Sequence, residues 1–105
     1  MAQFRVYENQ NKDSKAMYPY FVDVQSNFLE SLNSRLVIPL VSCQYLDNST
    51  ISKLCPKAVI EGEDFVLLTY QMTNIPSAAL KVPVMSLEFL RDEIIAAVDL
   101  LISGI

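Results

Sequence analysis

The chain has 105 residues, 51% of them hydrophobic, a formal net charge of −4 and no histidine. That length fits one domain, residues 1–105, with a core but a modest buried fraction. The missing imidazole removes Ser-His-Asp and Cys-His nucleophile pairs, His-rich zinc sites and a histidine pH switch. The eight Lys and Arg residues are scattered singly and form no basic patch for direct nucleic-acid binding.

So apolar a composition sits near the upper edge for a soluble monomer and favours association. Cys43 and Cys55 are too far apart for a CxxC redox or metal motif, and free thiols in a reducing compartment are the simpler expectation. Residues 1–20 contain no apolar signal-peptide core, and residues 94–105 fall short of the ~20 residues that span a bilayer. A cytoplasmic location with no membrane contact is therefore expected.

In chain order, Gln3-Phe4-Arg5-Val6-Tyr7 alternates apolar and polar residues and predicts a first strand. Residues 8–15 form a polar loop with nothing to bury, expected to be mobile. Residues 18–25 resume strand character, with Tyr20, Val22 and Val24 on one face and Phe21, Asp23 and Gln25 on the other. A buried carboxylate must be hydrogen-bonded, so Asp23 reads as a structural anchor rather than a catalytic acid.

Residues 26–34 are turn-rich and carry Phe28 and Leu29 as an isolated apolar pair, which pattern alone assigns to satellite core. Residues 35–41, Arg-Leu-Val-Ile-Pro-Leu-Val, read as a strand covered on both faces, with an edge or a bulge at Pro39 because proline cannot donate to a ladder. Residues 42–57 lack clean periodicity and read as a small appended element. Ala58-Val59-Ile60, an acidic turn around Gly62, and a second strand over residues 65–72 give the clearest hairpin signal. Asn74-Ile75-Pro76-Ser77 is expected to break that second strand, and Val82-Pro83 to close a short segment before the helix.

Residues 86–105 predict the terminal helix. Leu87, Leu90, Ile94, Ala97, Val98, Leu101 and Ile105 recur at helical steps, with Ser86 as N-cap and Glu88, Asp92 and Glu93 near the positive end of the dipole. Its polar stripe is narrow, so one sheet cannot cover it and a second subunit is expected to. The whole reads as a mainly antiparallel sheet or partly closed barrel with a helix across it.

Chemistry is sparse. The two glycines, Gly62 and Gly104, make no phosphate loop, and Glu61, Glu63 and Asp64 on one hairpin tip supply too few oxygens for a metal cage. Arg5, Arg35, Arg91 and Thr69 could serve a histidine-free ribonuclease, but their spacing singles out no constellation. The residues alone favour binding over catalysis, with no cofactor.

Three internal blocks, Phe21-Val22-Asp23-Val24-Gln25-Ser26, Arg35-Leu36-Val37-Ile38-Pro39-Leu40 and Met72-Thr73-Asn74-Ile75-Pro76, together with the ending Gly104-Ile105, resemble the CcdB toxins of toxin–antitoxin modules. Gln3-Phe4-Arg5-Val6-Tyr7 matches the family's opening strand, so the resemblance runs the full length. It implies an SH3-like barrel of the CcdB/Kid/MazF type, with a small extra sheet and a C-terminal α-helix, forming a two-fold homodimer. It implies binding to the A subunit of DNA gyrase, trapping the enzyme on cleaved DNA, with no covalent chemistry by the toxin itself. The gyrase-contacting positions it implies are Phe28, Leu29, Asp99, Ile102, Ser103, Gly104 and Ile105, in which case Phe28 and Leu29 belong to an apolar patch rather than to satellite core.

The resemblance also implies a CcdA-type antitoxin whose disordered segment folds on the toxin, with Glu8, Asn9, Asn11, Lys12 and Asp13 as candidate contacts and the antitoxin supplying the DNA-binding part of a repressor complex. Two positions depart from the family. The best-known members end in Trp-Gly-Ile where this chain has Ser103, and Asp99 stands where asparagine is usual. Losing an aromatic anchor costs about 2 kcal/mol or more. Two alternatives remain: a MazF/Kid-like endoribonuclease, and a homologue that binds without poisoning.

Overall fold

The computed structural model describes residues 2–46 and 52–104. Among these residues, seven strands form one antiparallel sheet: β1 (Arg5–Glu8), β2 (Tyr20–Asp23), β3 (Ser34–Ser42), β4 (Lys57–Ile60), β5 (Glu63–Leu67), β6 (Thr73–Pro76) and β7 (Pro83–Ser86). The order is β4-β5-β3-β2-β1-β7, with β6 branching from β3. The sheet curls into a half-barrel of SH3-like type, and one helix, α1 (Arg91–Ser103), follows it.

The nine-residue β3 organises the sheet. Along one side it pairs with β2, from Asp23↔Val37 to Tyr20↔Leu40. Along the other it holds two partners end to end: β6 from Ser34↔Pro76 to Val37↔Thr73, then β5 from Leu40↔Leu67 to Ser42↔Phe65. Pro39 therefore sits neither on a sheet edge nor at a bulge, but in the gap between β6 and β5. Its carbonyl accepts from Leu68 N at 3.0 Å, so its nitrogen faces the same side and costs the β2 ladder nothing.

That gap explains where β5 ends. Pro39 has no N–H to return to Leu68, so the ladder stops and the chain folds into a 3-10 turn, Thr69–Gln71. The expected strand over residues 65–72 is thus cut at Leu67, and the expected break at residues 74–77 is largely β6 itself. Tertiary demand overrides the β preference of Thr69 and Tyr70.

The other boundary changes are local. Phe4 adopts φ 68, outside strand geometry, so β1 starts at Arg5. The hairpin turn is two residues, Glu61 (φ 52) and Gly62 (φ 82), matching the double left-handed geometry of a twisted hairpin. Ser86 Oγ accepts from Glu88 N at 3.1 Å, at the start of a short 3-10 turn, Glu88–Leu90, whose N-cap is Leu87. α1 starts only at Arg91 with Leu90 as its N-cap, so Ser86 does not cap the helix.

Alternating residues feed both faces of the sheet. Val6, Val22, Ile38, Leu40 and Leu67 meet Leu87 and Ile94 in the main core. Their neighbours Val41 and Val66 join Cys55 and Leu68 in a second cluster, and Tyr7 and Val37 join Leu80 in a third. Two covered faces account for much of the high apolar content. Each fully buried Val, Leu or Ile contributes roughly 1.5–3 kcal/mol. Cys43 and Cys55 are free thiols, the second buried.

Candidate partner-binding surface

Beyond β2 the chain turns outward through Ser26, whose Oγ accepts from Phe28 N at 3.2 Å and whose carbonyl accepts from Leu29 N at 3.0 Å. The resulting 3-10 turn, Asn27–Leu29, leaves Phe28 98% exposed and Leu29 about half exposed. They are not satellite core. The return is tied down as well: Ser77 N donates to Asn33 O at 3.0 Å and Leu32 N to Leu29 O at 3.0 Å. A phenylalanine this exposed on a fixed turn costs hydration and serves no packing.

At the far end of α1 the same contrast recurs. Ile94 and Ala97 are buried against the sheet, while Asp99, Leu101, Ile102, Ser103 and Gly104 are exposed, Ile102 at 74%. Gly104 takes φ 73 and its N–H returns to Leu100 O at 2.9 Å, a left-handed helix stop that glycine makes without strain. Ser103 Oγ donates back to Asp99 O at 2.7 Å, so the hydroxyl is spent on the helix. Ile105 lies outside the described residues.

Gln3 links the two regions. Its backbone N donates to Asn27 Oδ1 at 3.1 Å and its Nε2 to Val24 O at 3.1 Å. It also lines, with Val24, Leu36, Val98 and Asp99, a small cavity of about 120 Å³ between the sheet and α1. The Phe28 turn and the Asp99 level of the helix thus share one neighbour.

The candidate antitoxin residues divide. Glu8 ends β1 and is exposed, as are Asn11, Lys12 and Asp13, but Asn9 is buried. Its Nδ2 donates to Tyr18 O (2.8 Å) and Ser14 Oγ (3.0 Å), and its Oδ1 accepts from Asn11 N (2.9 Å). Asn11 Oδ1 in turn accepts from Asp13 N at 2.8 Å. The loop expected to be mobile is a pinned set of turns, and Asn9 is its scaffold.

The ribonuclease residues do not converge. Arg35 is sealed against Asp23 and Thr69 is fully buried, while Arg5 and Arg91 are exposed, Arg91 near its own neighbour Asp92 at 3.7 Å. Among the described residues no three His, Cys, Asp or Glu side chains cluster as metal ligands, and no helix is long and apolar enough to cross a membrane.

A family model described as CcdB protein matches residues 3–104. The chain belongs to the CcdB family. It is a toxin-type chain of a toxin–antitoxin module, and the exposed apolar groups belong to a CcdB-family barrel whose core is complete without them. Sequence reasoning from the residues alone missed that Val59 and Phe89 are also exposed. Strand alternation could have flagged Val59, whose neighbours Ala58 and Ile60 point inward; Phe89 carried no such signal.

Proposed function

We propose that this chain poisons DNA gyrase by binding its A subunit and holding the enzyme with its DNA cut, and that a CcdA-type antitoxin reverses this. The carrying observation is that Phe28 and Ile102 are both well exposed, on a turn and a helix that each adjoin Gln3. Exposed aromatic and aliphatic anchors with a polar rim, here Asp99 and Ser103, have the composition of a binding hot spot. A two-fold homodimer doubles the patch. The chain acts by binding and is not itself an enzyme.

The test is expression without antitoxin, in cells with wild-type gyrase A and in cells carrying gyrase-A resistance mutations. Growth arrest confined to the first supports poisoning; arrest in both, or specific cleavage of RNA by the purified chain, favours the ribonuclease. A second reading has its own observation: Ser103, in the position where the best-known members carry tryptophan, turns its hydroxyl back onto Asp99 O. A chain without that aromatic anchor binds gyrase but does not trap it. Survival of expressing cells, together with measurable binding to gyrase A, identifies that case.

A further inference from the structure

Two apolar residues that face solvent cannot hold their own turn in place. Besides the ties through Ser26, Gln3 and Ser77, the 26–33 loop is held by Gln25, which is 7% exposed. Its Nε2 donates to Leu29 O at 3.0 Å and its Oε1 accepts from Leu36 N at 3.0 Å. One amide therefore bolts the end of the Phe28 turn to β3. The backbone of the same residue is fixed by the buried ion pair: Gln25 N donates to Asp23 Oδ1 at 3.0 Å, and Gln25 O accepts from Arg35 Nη2 at 3.3 Å. The ion pair sets the direction in which the chain leaves β2, and the amide sets where it comes back.

We propose that Gln25 is a positioning residue for partner binding, fixing the turn that presents Phe28 and Leu29 without touching the partner itself. This rests on the gyrase reading above. A leucine at this position has similar volume but neither donor nor acceptor. It leaves Leu36 N–H unpaired and Leu29 C=O tied only to Leu32 N–H within the turn, no longer to β3, so that the turn is free to sample other geometries. A pre-formed turn binds more tightly because its ordering cost is met on folding rather than on association.

The experiment compares Gln25→Leu, Gln25→Glu, Phe28→Ala and the Gln25→Leu/Phe28→Ala double variant for binding to purified gyrase A, each well below its own unfolding midpoint. All protein is then folded, so a merely stabilising role leaves affinity unchanged. Gln25→Leu is expected to bind about tenfold more weakly, the equivalent of one lost buried hydrogen bond. Gln25→Glu keeps the acceptor for Leu36 N–H but sets a carboxylate oxygen against Leu29 O, and is expected to weaken binding at least as much as Gln25→Leu. In the Phe28→Ala background, Gln25→Leu adds little, because it acts through that turn.

A readout without partner accompanies these: chymotrypsin cleavage after Phe28, and amide exchange at Leu29 and Leu32, both faster in Gln25→Leu and in Gln25→Glu. The glutamate variant serves if the leucine variant does not fold. Parent-like affinity in the Gln25 variants with weakened Phe28→Ala, or fully additive losses in the double variant, overturns the positioning role alone. Unaltered affinity in Phe28→Ala overturns the gyrase surface, and Gln25's role toward it with it.

Discussion

Arg35 Nε donates to Asp23 Oδ2 at 2.8 Å with both side chains enclosed in the protein. Two formal charges withdrawn from water cost several kcal/mol each, and only their mutual attraction and further hydrogen bonds offset that. Asp23 accepts a second bond from Gln25 N, and Arg35 gives a second to Gln25 O; Arg35 Nη1 finds no partner among the described residues. The network is nearly but not fully satisfied, and it lies beneath the turn that carries Phe28.

Removing one charge is therefore worse than removing both. Asp23→Asn or Asp23→Ala leaves a buried guanidinium uncompensated and is expected to lower stability by about 3–5 kcal/mol. An Asp23→Leu/Arg35→Met double variant recovers most of that loss in urea unfolding. If the double variant is less stable than either single one, the pair contributes net stability and the desolvation argument fails.

The hairpin tip isolates a backbone effect from packing. A Cβ built on Gly62 meets nothing within 4 Å, yet the residue holds φ 82. Gly62→Ala then costs about 1 kcal/mol from backbone strain alone, a fall of roughly 4–8 °C in Tm. Glu61, at φ 52, is a non-glycine in the same region, so Glu61→Asn or Glu61→Gly is expected to raise Tm. Thermal melts of the three variants read the sign directly.

How far the sequence discloses this structure depends on whether a signal is local. The Glu61-Gly62 hairpin depends on neighbours in sequence and emerges where the turn signal places it. On α1 the helical period holds for Ile94, Ala97 and Val98 but not for Leu87 and Leu90, which precede the helix, or for Leu101, which is exposed. The end of β5 is not local, because it is dictated by Pro39 on another strand. Asp23 stands out in its strand and Arg35 heads an apolar run, but that they meet depends on the β2–β3 register. Asn9 reads as part of a polar loop because nothing nearby in sequence shows that its amide holds Tyr18 O and Ser14 Oγ. Phe28 is the least legible position: an isolated Phe-Leu pair reads as core by composition, and only likeness to a family points it outward.

Alkaline pH offers a check on burial. Burial pushes the Cys55 thiol above its ordinary 9.0, a backbone hydrogen bond from Thr69 working weakly the other way. Burial, then Glu61, Glu8 and Glu63, raises the Tyr20 hydroxyl above its ordinary 10.0. Both groups bind their proton more tightly when folded. Their contribution is complete below the ordinary values and is lost as pH climbs through the raised ones. Urea midpoints are expected to decline above about pH 9, and a Cys55→Ala/Tyr20→Phe variant to decline less steeply. The phenyl ring preserves the edge-on contact with Phe65, at 5.2 Å between centroids. An unchanged slope in that variant places the alkaline loss elsewhere.

Ile94 and Ile102 are the same residue on the same helix, one 1% exposed and the other 74%. Ile94 inserts among Val6, Ile38 and Leu67, so Ile94→Ala creates a cavity and is expected to cost about 2–5 kcal/mol. Ile102→Ala deletes atoms already in water and is expected to move stability by less than about 0.5 kcal/mol. Toxicity and gyrase-A affinity should respond in the opposite order: Ile102→Ala weakens binding at least tenfold at full stability, the order expected of a hot-spot anchor. Ile94→Ala, assayed well below its midpoint, keeps the affinity of whatever fraction remains folded. If Ile102→Ala poisons gyrase as well as the parent does, the carboxyl end of α1 is not part of the grip.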